Sequence, residues 1–371
     1  MTTPNGPDTE TIRSAEAVLP VTDLKTELPF FLNTLGFRLD TIFPADDPAV
    51  AVISGHGTRI RLERGNSVAN GQLRLYVTSP QGDRALTTPN GNSILIEDAN
   101  PPLDIPETQH SFMVRRLADS DAWIIGRAGM HYRDLITDRL GGSIIASHIR
   151  IPDGGPVPDM VHYHTVGFQL IFCYRGWVRL VYEDQGDPFI LNAGDCVIQP
   201  PQIRHRVLEA SDNVEVLEIG VPAEHVTTID HEMELPNGKG DPNRDWDGTR
   251  FVHHREAEAS WTNWRLPGWE ARDTGIGTGT GGVAGVQVAR PADPPETPQW
   301  ASHDTDILFT FVKEGSVTLE AKVQDTPSHD LVAGDAFVIP PFLETRLTNP
   351  SLDCEIIEVT LPATFGTTLT T

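Results

Sequence analysis

Short apolar runs separated by turn residues cover most of the chain after residue 105. Two examples are QLIFCYRGWVRLVYE (residues 169–183) and GDCVIQPPQIRHRVL (residues 194–208), which are interrupted by a glycine and by a double proline. β-Branched and aromatic residues dominate these runs, and such residues are enriched in strands. The spacing of the runs and turns predicts a mainly β structure of the sandwich or barrel type.

The β pattern occurs twice, at an offset of about 139 to 140 residues, and its landmarks keep their order in both copies. Such a long period indicates duplication of a whole domain rather than a short repeat. We therefore predict two related domains at residues 106–236 and 237–371. The matched positions are Phe112/Phe251, Gly129/Gly268, Arg133-Asp134/Arg272-Asp273, Gly141-Gly142/Gly281-Gly282, Gly176/Gly315, Gly194-Asp195/Gly334-Asp335 and Pro200-Pro201/Pro340-Pro341.

The first 105 residues follow a different pattern, which predicts a small βαβββ module. Apolar residues at helical spacing follow a first strand candidate, and Gly36 supplies a stop, although Pro29 disfavours a regular helix beyond its first turns. The helical positions are Leu24, Leu28, Phe31, Leu32 and Leu35. The strand candidates are residues 15–21, 37–43, 49–55 and 58–64, with two further candidates at 73–79 and 93–99.

Composition restricts the classes of partner. Hydrophobic residues make up 39% and charged residues 22%, as in soluble globular proteins. Acidic residues outnumber basic residues by 52 to 28, and the resulting charge of −24 would repel nucleic acids and anionic membranes. Three cysteines cannot form a disulfide framework, and neither a membrane-spanning run nor a secretory signal is visible. We expect a cytoplasmic protein whose partner is a small molecule.

A cluster of imidazole-bearing positions is the most specific chemical signal. His162 and His164 are two residues apart, so a strand would direct both side chains to one face. His205 lies in the run that follows the double proline, and Gln169 follows the histidine pair. Imidazole binds Zn, Fe, Ni and Cu, and three histidines leave coordination positions open. A metal site inside a β-barrel is the leading hypothesis.

These residues resemble the two signatures of the cupin superfamily, over residues 106–371. The resemblance implies two consecutive double-stranded β-helix (jelly-roll) barrels, with His162, His164 and His205 as metal ligands and Gln169 in the fourth ligand position. Gln169 replaces the usual glutamate, either as a direct ligand or as a hydrogen-bonding partner of a metal-bound water. Gln202 replaces a usual glycine. The matching positions are Gly155, His162, His164, Gln169 and Gly176 for the first signature, and Gly194, Pro200, Gln202 and His205 for the second.

The second copy lacks most of this set. Alignment of the copies puts Ala301, His303, Leu308 and Thr345 opposite the four candidate ligand positions. Only His303 could bind a metal, and a single histidine is more often a hydrogen-bonded residue than a ligand. We expect one divalent metal ion per chain, in the first barrel, with the second barrel serving as scaffold.

The N-terminal module resembles the vicinal-oxygen-chelate (glyoxalase/bleomycin-resistance) family over residues 14–65, chiefly through DLKTELPFFLNTLGF. A complete site in that family needs two modules. Glu16 and Glu63 are the only residues near the family's ligand positions, and a solvated glutamate at a strand end is the simpler interpretation for Glu63. We therefore expect a packing or dimerisation module and a homodimeric protein.

Further polar residues are candidates for the first barrel. His148 lies on the strand-like run SIIASHIRI, where it could point inward as an acid–base group or face a neighbouring strand. Arg204 flanks His205 and could orient an anionic substrate, although exposure to solvent is the default for an arginine. The pair Arg133-Asp134 recurs in the copy without the histidines, which predicts a structural role for it.

The function that the resemblance implies is an oxygenase. We predict an Fe(II)-type dioxygenase that binds a small, oxygenated, anionic or chelating substrate, with Zn, Mn or Ni as other candidate metals. A non-redox lyase, isomerase or hydrolase that uses the metal as a Lewis acid is one alternative. A non-catalytic barrel that captures a small ligand is the other.

Overall fold

The structure is a computed structural model that describes residues 11–34, 36–55, 57–65, 72–78, 84–87, 93–119, 123–238, 240–293 and 296–370. Leu35, one of the predicted helical positions, lies outside these ranges. The chain divides into two compact units. The first comprises residues 1–104, 162–165 and 225–232, and the second comprises residues 105–161, 166–224 and 233–371.

The N-terminal elements have the predicted βαβββ order, followed by three more strands. In chain order they are β1 (Ile12–Val21), α1 (Leu24–Pro29), a π-helical turn (Phe30–Thr34), β2 (Arg38–Phe43), β3 (Val50–Gly55), β4 (Thr58–Arg64), β5 (Gln72–Val77), β6 (Arg84–Thr87) and β7 (Ser93–Asp98). No helix in the part of the chain that the structure describes is long and apolar enough to cross a membrane.

The rest of the chain is almost entirely β. The strands up to residue 236 are β8 (Met113–Arg115), β9 (Ile124–Ile125), β10 (His131–Asp134), β11 (Ile145–Ile151), β12 (Gly155–Pro156), β13 (His162–Thr165), β14 (Phe168–Arg175), β15 (Trp177–Tyr182), β16 (Phe189–Asn192), β17 (Cys196–Ile198), β18 (His205–Ala210), β19 (Val214–Val221) and β20 (Val226–Ile229). Short 3-10 turns cover Arg127–Gly129 and Arg139–Gly142.

The last third of the chain repeats this arrangement. Its elements are β21 (Asp245–Trp246), β22 (Thr249–Arg250), β23 (Val252–His254), a 3-10 turn (Glu256–Glu258), β24 (Thr262–Asn263), β25 (Trp269–Asp273), α2 (Ile276–Gly279), β26 (Gly285–Pro291), β27 (Trp300–His303), β28 (Ile307–Glu314), β29 (Ser316–Ala321), β30 (Ser328–Val332), β31 (Ala336–Val338), β32 (Thr345–Thr348), β33 (Glu355–Leu361) and β34 (Thr367–Thr370).

In the first unit, α1 packs on one face of a mixed sheet. Asp23 caps the helix by accepting a hydrogen bond from the backbone N–H of Lys25 at 3.0 Å. Leu24 is buried in a cluster with Ile53 and Leu62. β1 runs parallel to β4 on one side and antiparallel to β5 on the other, so both edges of β1 are paired within this chain. The predicted homodimer stays a prediction.

Two later strands extend the same sheet. β20 pairs with β2, with Thr41 opposite Thr228, and β13 pairs with β20, with His162 opposite Ile229. The strand that carries the histidine pair is therefore held in register by a sheet that begins among the first hundred residues. This is a physical role for the N-terminal module that its sequence does not reveal.

Most strands of the second unit lie in two pairs of facing layers, besides the short ribbon β21-β22. The order β23-β17-β14-β19-β11-β10-β9 faces β16-β15-β18, and the order β24-β25-β26-β33-β28-β31-β8 faces β30-β29-β32-β27-β34. Each pair encloses its own apolar core, in which Cys173 meets Leu180 in the first pair and Leu308 meets Leu319 in the second. The predicted two consecutive β-barrels are confirmed.

The two seven-stranded sheets also pack on each other. Phe168, Leu170 and Phe172 of β14 lie in one buried cluster with Phe309 and Phe311 of β28. Because side chains alternate along a strand, the residues between them point the other way, into the barrel interior. This alternation places Gln169 inside the first barrel, and it is 0% exposed.

The two barrels exchange strands. β8 precedes the first barrel in sequence but pairs with β31 of the second, and β23 pairs with β17 of the first. The two Gly-Asp pairs that recur in the repeat, Gly194-Asp195 and Gly334-Asp335, stabilise these strand exchanges through hydrogen bonds. Asp195 accepts a hydrogen bond from the N–H of Glu256 at 2.8 Å, and Asp335 accepts one from the N–H of Leu117 at 2.7 Å.

The repeated arginines complete this reciprocal arrangement. Arg133 donates a hydrogen bond to the carbonyl of Gly334 at 2.6 Å, and Arg272 donates one to the carbonyl of Gly194 at 3.0 Å. Arg272 is completely buried and also donates to Glu256 at 3.1 Å. Each arginine therefore donates a hydrogen bond to a turn carbonyl of the other barrel. This is a structural role, as the recurrence of the arginine predicts.

We expect the substitution Arg272→Met to lower the free energy of unfolding by about 3 kcal/mol, because it leaves the Gly194 carbonyl and the Glu256 carboxylate without their donor. Calorimetry or chemical unfolding would measure the loss. Arg255→Met is the matched control, since Arg255 is half exposed and pairs only loosely with Glu258. Equal losses for the two variants would contradict a role for Arg272 in joining the barrels.

Candidate metal centre

The histidine pair lies on β13, and both side chains are buried. His162 is 1% exposed and His164 is 5% exposed, while Tyr163 between them is partly exposed. The two imidazole rings face each other edge-on, with centroids 5.2 Å apart. The alternation predicted from the sequence is therefore confirmed, because both rings leave the same face of the strand.

His205 begins β18 and has its tautomer set by the backbone. Its Nδ1 lies 2.9 Å from the carbonyl oxygen of Ile203. Since a carbonyl only accepts, Nδ1 carries the proton and Nε2 keeps its lone pair for another partner. The ring of Tyr182 stacks on this imidazole at a centroid distance of 5.5 Å. Burial lowers the pKa of His205 to about 4 and so favours the neutral form that a metal requires.

The three imidazoles come together. One ring nitrogen from each of His162, His164 and His205 lies within 4.8 Å of the other two, the only such group of histidine, cysteine or carboxylate side chains among the residues described. The Nδ1 atom of His164 lies 3.0 Å from the hydroxyl of Thr227, which can accept the Nδ1 proton and so fix the tautomer with the lone pair on Nε2. Three buried imidazoles fit a divalent transition metal.

Gln169 shows an unbalanced hydrogen-bonding pattern. Its Nε2 donates to Oε1 of Glu218 at 2.5 Å. Its own Oε1 is buried, and no group in the described part of the chain donates a hydrogen bond to it. Buried carbonyl oxygens are almost always satisfied, so this atom is available to an additional partner. That pattern fits the ligand position that the sequence predicts for Gln169, whose direct coordination remains a prediction.

A chain of contacts connects Gln169 with His205. The backbone N–H of Gln199 donates to the carbonyl of Gln169 at 2.8 Å. The Gln199 side chain donates to the hydroxyl of Tyr182 at 2.9 Å, and Tyr182 stacks on His205. The fourth candidate position is therefore built into the same core as the histidine.

A buried ion pair beside β18 was missed by the sequence reasoning. Arg127 donates to Asp159, which is 4% exposed, and Asp159 also accepts from the backbone N–H of Val207 at 2.9 Å. Val207 is two residues from His205, so the pair helps to position the strand that carries this ligand. Arg127 has a near-equivalent in Arg265 of the second copy, a correspondence that could have indicated it.

His148 lies on the outer face of β11 rather than in the barrel interior. Its imidazole packs edge-on against Phe311 of the second barrel at 5.8 Å. Nε2 contacts Glu215 at 2.6 Å and Nδ1 contacts Arg133 at 3.2 Å. Burial lowers the pKa of His148. Of the two alternatives drawn from the sequence, the inward-pointing acid–base group does not match this placement, because the strand alternation turns His148 toward the other barrel.

Arg204, the second catalytic candidate, is half-buried at the start of β18. Its backbone N–H donates to Glu183 at 3.1 Å, and its guanidinium donates to the carbonyl of Gln202 at 3.2 Å. These contacts hold both the backbone and the side chain of Arg204, the residue that precedes His205. A role in orienting substrate remains a prediction.

The equivalent positions of the second barrel are filled differently. Ala301 lies opposite Thr345 in the sheet, and Leu308 belongs to the apolar core. His303 contacts the carbonyl of Ile339 at 3.2 Å. The interior cavity beside these residues measures about 20 Å³, enough for one water molecule.

An arginine–glutamate pair takes up the polar interior of this barrel. Arg265 donates through Nε to both carboxylate oxygens of Glu358, at 2.9 and 3.1 Å. Glu358 occupies the position in the second barrel that Glu218 occupies in the first. The second barrel therefore balances this glutamate with a guanidinium rather than with an amide.

Comparison with known proteins supports the fold assignment. The chain matches no protein-family model and no curated protein sequence. Among solved structures it is similar to oxalate decarboxylase from Bacillus subtilis at pH 4.6, with 13% identity, a TM-score of 0.50 and coverage of 71% of this chain and 80% of that one. A B. subtilis oxalate decarboxylase described for its Mn(II) centres has the same identity and TM-score, with coverage of 71% and 81%.

The formate complex of Lactobacillus farciminis oxalate decarboxylase is similar to the same degree, at 13% identity and a TM-score of 0.50 over 71% of this chain and 91% of that chain. Identity this low shows a common fold and no more. Together with the two β-barrels and their exchanged strands, the similarity shows that this chain shares the double-barrel fold of these solved structures.

Proposed function

We propose that the first barrel holds one divalent metal ion and that the protein is a metal-dependent enzyme for a small anionic substrate. The convergence of His162, His164 and His205 is the observation that carries this proposal. In it, the three histidines would bind the metal, and the unsatisfied Oε1 of Gln169 would be the fourth ligand.

The charge of the ligand set favours an anionic substrate. Three neutral imidazoles and one neutral amide leave the whole positive charge on a bound metal, which would act as a Lewis acid on a carboxylate or carbonyl oxygen. Arg204 remains the candidate for orienting such a substrate, because this half-buried residue directly precedes His205 in the sequence. The net charge of −24 makes a local positive centre the natural place for an anion to bind.

A lyase is the reaction class that we propose first. The sequence alone favoured an Fe(II) dioxygenase, with a non-redox lyase as an alternative. The similar solved structures are named as oxalate decarboxylases, and one is described for Mn(II) centres, which supports cleavage of a carboxylate substrate with Mn(II) as the leading metal. The Fe(II) dioxygenase is the competing outcome in the experiments.

Metal analysis tests the site. We expect about one Mn or other divalent ion per chain in the purified protein, and His162→Ala is expected to lower this content at least tenfold by removing one of three nitrogen ligands. His303→Ala is the matched control, because His303 is the only histidine at the equivalent positions of the second barrel. Unchanged metal content in His162→Ala would contradict the proposed centre.

Turnover under anaerobic conditions tests the reaction class. Protein loaded with Mn(II) is expected to release CO2 from a small carboxylic acid such as oxalate, without consuming oxygen, and His162→Ala is expected to lose this activity. Gas analysis and an oxygen electrode measure both quantities. Turnover that requires oxygen would favour the dioxygenase instead. Saturable binding without turnover would favour the non-catalytic ligand-binding barrel.

Acid is expected to destabilise the metal-stripped protein. Burial lowers the pKa of His205 from 6.5 to about 4, so the unfolded chain binds this proton at a higher pH than the folded chain. The contribution of His205 to the free energy of unfolding is therefore complete above about pH 6.5. It decreases by about 3 kcal/mol as the pH drops toward 4. Burial also lowers the pKa of His253 to about 4, so His253 contributes in the same window.

Thermal unfolding in the presence of a chelator, at several pH values, measures this effect. The variant His205→Gln keeps a polar side chain but does not titrate, so its stability is expected to depend less on pH than that of the unsubstituted protein. An equally steep loss of stability in both proteins would show that His205 is not the group responsible.

A further inference from the structure

We propose that Glu218 is a positioning residue that orients the amide of Gln169, so that the amide oxygen faces a bound metal. This inference rests on the proposed metal centre. Glu218 belongs to neither of the two signatures that the sequence resembles.

The two side chains meet on one face of one sheet. Gln169 lies on β14 and Glu218 on β19, and the register of these strands puts Gln169 opposite Gly220 and Ile171 opposite Glu218. The neighbours of both residues, Leu170 and Ile219, point outward into the core between the barrels. Strand alternation therefore directs Gln169 and Glu218 inward as a diagonal pair, a spacing that allows side chains to interact.

The hydrogen bond determines which end of the amide points where. An ionised carboxylate only accepts hydrogen bonds, so the 2.5 Å contact with Glu218 selects Nε2 of Gln169. The reverse orientation would put the amide oxygen against the carboxylate and replace attraction with repulsion. Glu218 thus holds Oε1 of Gln169 on the side away from itself, where the described residues supply no donor.

An unsatisfied buried oxygen is unfavourable unless something else uses it. Gln169 is 0% exposed, so bulk solvent does not satisfy Oε1. A fixed amide whose oxygen receives no hydrogen bond from the described residues is the arrangement expected of a metal ligand held by a neighbouring acceptor. The two observations, a forced orientation and an unused oxygen, therefore support the same role.

The second barrel provides an internal comparison. Its strand register matches that of the first, with Leu308 opposite Thr360 and Thr310 opposite Glu358. Glu358 therefore has the same position in its sheet as Glu218. Leu308 lies at the position equivalent to Gln169, and Glu358 accepts hydrogen bonds from Arg265 instead of from an amide. The glutamate is present in both barrels, while an amide partner occurs only in the barrel with three converging histidines.

Titration of Mn2+ into the full-length, chelator-stripped protein tests the inference. We expect Glu218→Leu, which removes the acceptor, to weaken Mn2+ binding by about tenfold or more, the usual effect of losing a residue that orients a metal ligand. Glu218→Gln retains an acceptor oxygen and is expected to stay within about threefold of the unsubstituted protein. Glu358→Gln, the equivalent change in the second barrel, is the control and should leave the affinity unchanged.

A double-mutant cycle separates positioning from general stability. Gln169→Glu alone puts two carboxylates against each other and is expected to weaken Mn2+ binding. Adding Glu218→Gln restores a donor–acceptor pair, so the double variant is expected to recover the affinity. If Q169E and the double variant bind Mn2+ equally, the two residues are not coupled and the inference is wrong.

The outcomes also distinguish this inference from the proposed function. If the unsubstituted protein binds neither Mn2+ nor another divalent metal ion, the metal centre itself is wrong and the role of Glu218 fails with it. If the unsubstituted protein binds Mn2+ and Glu218→Leu binds it equally well while remaining folded, only the positioning role is overturned. Circular dichroism of each variant provides the folding control.

Discussion

The packing of two seven-stranded sheets on each other is the constraint on which the rest of the second unit depends. The aromatic and aliphatic residues of β14 and β28 that form this contact occupy alternate positions of their strands. Alternation then leaves only the intervening positions for the barrel interiors. Polar chemistry in the first barrel must use those positions, and Gln169 and Glu218 both do.

The two copies show how one architecture supports different interiors. Both keep the Gly-Asp turns and the crossing arginines, because these join the barrels and are needed in each copy. Their interiors are not bound by that requirement. In the second barrel Arg265 neutralises Glu358 within a nearly filled core, whereas in the first barrel Glu218 binds an amide and three imidazoles converge nearby.

Local pattern and repetition were enough to predict the barrels, the βαβββ order and the shared face of His162 and His164, because these depend on alternation and spacing within short segments. Contacts between distant segments were beyond such reasoning. The exchange of β8 and β23 between barrels and the pairing of β13 with β20 depend on tertiary packing. His148 illustrates the same limit, because the sequence places it on a strand without saying which face of that strand meets the second barrel.

The missed polar residues have a common cause. Asp159 and Glu218 are recognisable only through their partners, Arg127 and Gln169, which are separated from them by 32 and 49 residues. A glutamate in an alternating strand has the appearance of a solvent-facing residue until the sheet around it is known. The recurrence of Glu218 as Glu358 was available in the sequence, but its meaning depended on knowing that both point inward.

Glu218 also accounts for the departure of Gln169 from the cupin signature. A glutamate at position 169, which is completely buried, would bring a second carboxylate into contact with Glu218, and like charges in such a setting repel each other. An amide has nearly the same shape but carries a donor, so it converts that repulsion into a hydrogen bond. The amide and the neighbouring carboxylate therefore form one hydrogen-bonded unit, in which the negative charge lies on Glu218 rather than at the candidate fourth ligand position.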